Sequence, residues 1–229
     1  MTAERLMVLE LDRMLGRAPS GAPIRLLNVG AGASLSVERQ LKHLRPFDLI
    51  DRIDIESHQL EHPNLGHVWQ CSVECMSGVT SSVYDALFAN FVLEHVHDLN
   101  STAAEMRRVV KPGGMLVATL PNTSAPEFLL ARVTPTSFHR FVRRRRAWET
   151  AYSYRSIAEL LAVFGAAGFR PASCTYFPVV GRYLANYPVL GAVGGLWDRA
   201  VRKSGITRLM GEVCLVLTAP SPRAEGSAA

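Results

Sequence analysis

The stretch LLNVGAGAS, Leu26 to Ser34, decides how the rest of the chain is read. Apolar residues from Ile24 to Val29, bounded by Pro23 and broken by Gly30, predict a short buried strand. Gly30 and Gly32 then predict a turn whose backbone can approach another group closely, because a Cβ at either position would obstruct it. Gly-x-Gly alone marks only a tight turn. Its meaning depends on the elements downstream and on their spacing.

Downstream, strand and helix patterns alternate. In ASLSVERQLKHL, Val37, Leu41 and Leu44 fall at i, i+4 and i+7, predicting an amphipathic helix with Ser34 or Ser36 as N-cap. FDLIDRID predicts a second strand ending on an acid, HVWQC a short third, and Ala86 to Ala89 a fourth that turns at Asn90. NSTAAEMRRVVKPGG reads as a capped helix with Ala103, Met106 and Val110 on one face, stopped by Pro112 and Gly113–Gly114. MLVATLP is a fifth strand. SIAELLAVFGAAGF has Ser156 and Glu159 in capping-box spacing and ends at Gly168, and RPASCTYF and GEVCLVLTA complete seven strands. The fold class is therefore α/β: a doubly wound, mostly parallel seven-stranded sheet with helices on both faces. We expect one domain over residues 1–219, with lid insertions at about 123–154 and 179–208, and a disordered tail over 220–229.

Composition narrows the class. Apolar runs are broken well short of the roughly 18 residues that a membrane span needs. The N-terminus, MTAERLMVLELDRML, carries acids and lacks an apolar secretion core, so it reads as an ordinary packing helix. Cys71, Cys75, Cys174 and Cys214 form no C-x-x-C pair, and reduced thiols in the cytoplasm are the expectation. Lys and Arg total 25 against 20 Asp and Glu, and Arg143, Arg144, Arg145 and Arg146 concentrate the excess. Such a run suits either a solvated face or peripheral contact with phosphate or an anionic membrane surface. No pair of His, Asp or Glu has metal-ligand spacing, and no metal is expected.

In an open parallel sheet, ligands sit beyond the carboxyl ends of the strands, where the glycine turn lies. An acid closing the second strand can accept from a ribose diol. Asp54 and Asp51 lie 24 and 21 residues after Gly30, both compatible with the usual spacing of about 20. The third small residue of a dinucleotide fingerprint is missing, since Leu35 stands three after Gly32. The phosphate-cradling G-x-x-x-x-G-K-S/T pattern is absent too, which favours a nucleoside ligand without phosphates.

From about Ile24 to Asn122 the chain resembles the class I S-adenosylmethionine-dependent methyltransferases, of the small-molecule, type-11-like kind. LLNVGAGAS and RIDIE are similar to the first two motifs of that family. QCSVECM occupies the third position, and FANFVLEHV and MRRVVKPGGMLVATLPN are similar to the later blocks. The resemblance implies S-adenosyl-L-methionine as cofactor. Gly30, Ala31 and Gly32 would pass under its methionine portion, and Asp54 would hold the ribose, with Asp51 as fallback. Ile55 would pack on the adenine, Ser72 and Val73 would flank its edge, and Asn90 and Phe91 would lie near the sulfonium. Asn28, Ser34 and Ser72 depart from the family pattern, which has acids at the first and last and glycine at the middle position.

Methyl transfer asks for alignment, exclusion of water and sometimes a base. His95, read as lying at a helix start, and His139 are the candidate bases; a structural histidine is the bland alternative for His95. Aromatic and basic residues between Pro121 and Tyr154, and the apolar stretch 179–205, read as covers over a bulky acceptor or as completions of the core. The expected function is methyl transfer to a small-molecule, lipid or glycan-precursor acceptor. The alternatives are a non-catalytic cofactor-binding protein and an RNA-directed methyltransferase. Against the last, aromatic and basic residues are not interleaved, and NFVL stands where base-methylating relatives have an Asn/Asp-Pro-Pro-aromatic block.

Overall fold

The computed structural model describes residues 1–19, 21–126 and 153–221. Helix α1 (Ala3–Arg17) leads into β1 (Arg25–Val29), β2 (Leu49–Asp54), β3 (Leu65–Gln70) and β4 (Tyr84–Asn90). Then come α2 (Leu99–Val109), β5 (Val110–Pro121), α3 (Ile157–Ala166) and β6 (Arg170–Phe177). A helical hairpin, α4 (Val180–Tyr183) and α5 (Pro188–Ser204), precedes β7 (Glu212–Thr218). The seven strands form one sheet in the order β3-β2-β1-β4-β5-β7-β6. All neighbours are parallel except those of β7, which runs antiparallel to β5 and β6. This is the expected doubly wound sheet. It brings the ends of β1 to β6 and the start of β7 to one edge.

Two apolar layers flank the sheet. On one face Met7, Val8, Leu11 and Leu15 of α1 pack with Leu26, Ile50, Phe88, Val117 and Val216. On the other, Ala103 and Met106 of α2 and Leu160 and Phe164 of α3 pack with Leu27, Leu87, Leu116 and Leu215. Residues alternating along each strand thus enter opposite cores, so the central strands read as continuous apolar runs. Helix caps follow the sequence: Asp98 accepts from the N–H groups of Asn100 and Ser101, and Ser156 from that of Glu159.

Three expectations are corrected. The helix expected across ASLSVERQLKHL is only a single 3-10 turn, Glu38–Gln40. Its continuation is intercepted: the Asp12 carboxylate on α1 accepts the backbone N–H groups of Lys42 and His43 at 2.7 and 2.9 Å. Those N–H groups would otherwise have carried the helix on. Burial pushes the Asp12 pKa up, but these bonds and the His43 side chain outweigh it and hold it below the ordinary value.

The second correction is that α2 stops at Val109, before Pro112 and Gly113–Gly114, which lie inside β5. Gly113 has φ +82° and its N–H donates to the Ala219 carbonyl, just after β7. A Cβ on Gly114 would stand 2.8 Å from the Asp85 carbonyl oxygen, so these glycines serve close strand packing. Third, Tyr154, grouped by sequence with a lid, is wholly buried in the core with Ile157 and Leu160. Residues 127–152 of that insertion, including Phe128, His139 and Arg143 to Arg146, lie outside the described residues, as does the tail beyond Ser221.

Candidate functional site at the carboxyl edge of the sheet

The glycine turn leaves β1 and folds back over β2. The N–H groups of Gly30 and Ala31 both donate to the Ile53 carbonyl, at 2.8 and 3.1 Å. Gly30 and Gly32 have φ of +62° and +55°, in the left-handed region that glycine enters without cost. Their surroundings differ. A Cβ on Gly30 would strike the Val92 methyl groups at 2.5 Å, whereas a Cβ on Gly32 would meet nothing within 4 Å. Gly30 is thus a packing glycine, and Gly32 faces open space at the edge.

Asp54, at the end of β2, joins that space: its carboxylate accepts from the Gly32 N–H at 2.8 Å and from the Glu56 N–H at 2.9 Å. Ile55 comes next, with 59% of its surface exposed, an apolar side chain left uncovered beside the acid. The next chain end is close, because the Cys71 N–H donates to the Asp54 carbonyl at 3.0 Å and leads into Ser72 and Val73. Ser72 Oγ accepts from the Glu74 N–H, and the Glu74 carboxylate accepts from the N–H groups of His97 and Asp98.

From β4, the Asn90 side chain accepts from Thr119 Oγ1 at 2.6 Å and donates to Glu4 at 3.0 Å. Phe91 has φ +56°, unusual for a residue with a Cβ, and its N–H donates to the Thr119 carbonyl. Such strain needs surrounding bonds to hold it. The predicted residues Gly30, Ala31, Gly32, Asp54, Ile55, Ser72, Val73, Asn90 and Phe91 therefore all stand at the carboxyl edge. Asp51 does not. It is buried within β2, where it accepts from the Arg25 guanidinium, the Tyr84 hydroxyl and the His67 N–H. Burial, and after it these bonds to Asp51, pushes the Tyr84 hydroxyl well above its usual range.

His95 is also repositioned. It closes a turn in which its N–H donates to the Val92 carbonyl, four residues ahead of the α2 start at Leu99, not at a helix start. His139 lies outside the described residues. A surface cavity of about 310 Å³ lined by Leu15, Gly16, His43 and Phe47 belongs to the opposite end of α1. It is remote from this edge.

Three charged residues escaped the sequence reading. Arg52, buried in β2, donates through one nitrogen to the carbonyls of Ala31, Gly32 and Ser34 at 2.7 to 2.9 Å. Through another it meets the buried Glu38 at 2.7 Å. Asn28 donates to the same Glu38 oxygen, also at 2.7 Å. Burial lowers the Arg52 pKa, opposed by the charges of Glu38 and Asp54. The third is Glu4, which α1 brings to Asn90. One signal was present in the sequence: a guanidinium between Ile50 and Ile53 in a buried parallel strand requires a buried partner.

Comparison with known proteins agrees with this geometry. A family model described as a methyltransferase domain matches residues 27–118. The ubiquinone biosynthesis O-methyltransferase of Methylocella silvestris is 26% identical over 176 residues, covering 74% of this chain and 68% of that protein. The human mitochondrial ubiquinone biosynthesis O-methyltransferase is 26% identical over 185 residues, covering 74% of this chain and 50% of that protein. The chain therefore spans 68% and 50% of the length of these two relatives. Among solved structures, the Haemonchus contortus phosphoethanolamine N-methyltransferase 2, in complex with S-adenosyl-L-methionine, superposes with a TM-score of 0.60. Its sequence identity is 12%, over 95% of this chain and 53% of that one, a likeness of fold. The matched domain covers β1 through most of β5, where the glycine turn and its acid share one edge, and over this stretch the chain is similar to S-adenosylmethionine-dependent methyltransferases.

Proposed function

We propose that this enzyme methylates a small-molecule or lipid-like acceptor, with its donor seated between the glycine turn and Asp54. The observation that carries the reading is the open space at Gly32, bordered by the Asp54 carboxylate and the uncovered Ile55. Bare backbone, an acceptor for hydroxyls and an apolar plate are the three surfaces that a nucleoside sulfonium requires. When bound, S-adenosylmethionine supplies an electrophilic methyl group; the rest of the chemistry belongs to the protein.

Asp54 would accept the ribose hydroxyls, Ile55 would pack on the adenine, and Ser72 and Val73 would flank its edge. Arg52 acts one layer below. By tying three turn carbonyls together it fixes the turn open, and by pairing with Glu38 it keeps its own charge neutralised. Asn28, which departs from the family pattern, is a member of this network. Asn90 and Phe91 would line the methionine end of the donor, and Glu4, which accepts from Asn90, would offer a carboxylate to its ammonium. A base is needed only where the acceptor must lose a proton. Among the described residues His95 is the candidate, and the pH profile of kcat in His95→Gln tests that role.

Two relatives named as O-methyltransferases favour oxygen as the accepting atom and lipid or quinone precursors as first acceptors to screen. Calorimetry with S-adenosylmethionine, with NAD as control, tests the site. We expect binding of the former alone, weakened at least about tenfold in Asp54→Ala, as one lost charge-assisted bond costs roughly 1.5–3 kcal/mol. Unchanged affinity in Asp54→Ala would overturn the placement.

A further inference from the structure

The hairpin of α4 and α5 is built inside out. Its two helices meet through glycines: a Cβ on Gly194 would stand 2.9 Å from the Gly181 Cα, and one on Gly191 would stand 3.1 Å from the Leu184 carbonyl oxygen. Asp198 also turns inward, accepting the N–H groups of Val180 and Gly181 at 3.1 and 2.9 Å. Apart from the buried Val201, the large apolar side chains of α5 are left on the outside. Val189 is 77% exposed, Val193 60% and Leu196 63%, with Leu190 and Trp197 on the flank. Positions 189, 193 and 196 recur at helical spacing, so they form one continuous stripe.

Charge marks what this stripe fits. Asp198 is the only acid between residues 179 and 210, and it is turned inward. Arg199, Arg202, Lys203 and Arg208 are all exposed. Arg199 and Lys203 lie three and seven residues after Leu196, on the same side of the helix. No helix among the described residues is long and apolar enough to cross a membrane. An apolar stripe with a basic last turn on a helix that does not span fits a position in the plane of a lipid interface. A second copy docked on the stripe would bring two sets of uncompensated cations together, which disfavours self-association there.

We propose that α5 is a peripheral membrane-docking element: Val189, Val193 and Leu196 enter an anionic bilayer surface while Arg199 and Lys203 meet its phosphates. The Arg182–Glu212 pair ties the hairpin to β7, whose start lies at the edge carrying the glycine turn. Docking by α5 therefore turns that edge towards the lipid, where an apolar acceptor is concentrated. The docking surface stands on its own observations and does not depend on how the cofactor is held.

The test is sedimentation of the full chain with vesicles of phosphatidylcholine, alone or with about one-third phosphatidylglycerol. We expect binding to the anionic vesicles only, weakened by high salt, with a blue shift of tryptophan emission that Trp197→Phe diminishes. The double variant Val193→Asp with Leu196→Asp, and separately Arg199→Glu with Lys203→Glu, should each bind at least roughly tenfold more weakly. Both should keep the thermal midpoint and S-adenosylmethionine affinity of the parent chain. Absence of binding to anionic vesicles at low salt overturns the proposal. So does binding that survives both double variants and disappears only when Arg143 to Arg146 are replaced. A parent dimer that Val193→Asp with Leu196→Asp dissolves would overturn it in favour of a self-interface. A fall in the thermal midpoint of that variant, without vesicle binding by the parent, would overturn it by showing that the chain covers the stripe itself.

Discussion

Helices α1 and α5 are of similar length, 15 and 17 residues, and both are amphipathic, yet they turn their apolar sides in opposite directions. In α1 the apolar side faces the sheet, and Met7 and Leu11 lie fully buried among strand residues. In α5 the inward side is made of Gly191, Gly194, Asp198 and Val201, and the other large apolar side chains face out. An apolar stripe is thus a statement about what a helix needs covered. It does not say what covers it: the sheet for α1, and on our proposal a lipid surface for α5. The small residues behind the α5 stripe separate the two cases, because they hold the helix to its neighbour while contributing little apolar burial.

The largest break in the comparison should come from truncating the same residue type in each helix. Leu11→Ala in α1 leaves a cavity between helix and sheet and should cost about 2–5 kcal/mol in urea unfolding. Leu196→Ala in α5 removes a side chain that touches little and should change stability by less than about 0.5 kcal/mol. Equal losses would mean that α5 is covered within the folded chain.

A smaller effect tests how the chain leaving α1 is fixed. Asp48 is buried and accepts from the N–H groups of Ile24 and Arg45 and from the Arg45 guanidinium, which also binds the carbonyls of Pro19 and Ala22. Burial raises the Asp48 pKa, but these bonds more than reverse it and hold it below the ordinary value. A depressed carboxylate contributes stability above its unfolded pKa of about 3.9, and that contribution fades as pH falls through the folded pKa. Asp48→Asn should therefore cost about 1.5–3 kcal/mol at pH 7, with the gap from the parent narrowing below about pH 4 in thermal melts.

The smallest expected change sharpens the α5 side. Gly194→Ala must push the two helices apart, an overpacking cost of about 1–3 kcal/mol, offset by about 1 kcal/mol of helix propensity. Hydrogen exchange should show faster opening of α4 and α5 with the sheet unchanged. A uniform loss of protection would mean that the hairpin is integral to the core.

Much of the fold was legible from local pattern. The apolar runs at β1, β2 and β4, the cap at Ser156 and the stop at Gly168 depend on neighbours within a few residues, and the structure keeps them. The edge location of Gly30 to Gly32, Asp54 and Asn90 was legible for the same reason, since each directly ends or succeeds a strand. The helix expected after the glycine turn was not kept, because Asp12, some thirty residues away in sequence, takes its N–H groups. His95 was placed on the wrong element because the true cap, Asp98, stands three residues further on.

Sequence by itself determined the alternation of strand and helix, the glycine turn with its acid at the end of β2 and the resemblance that these carry, because those signals are local and repeat along one chain. Only the tertiary structure decided that Asp51 is buried within β2 and Asp54 stands at the edge beside Gly32, that Arg52 and Glu38 hold the turn from beneath, and that the stripe of α5 faces outward. Each of these is a choice between two directions for a side chain. That choice rests on partners distant in sequence, and a charge or an apolar stripe reveals its need for a partner before it reveals which one it meets.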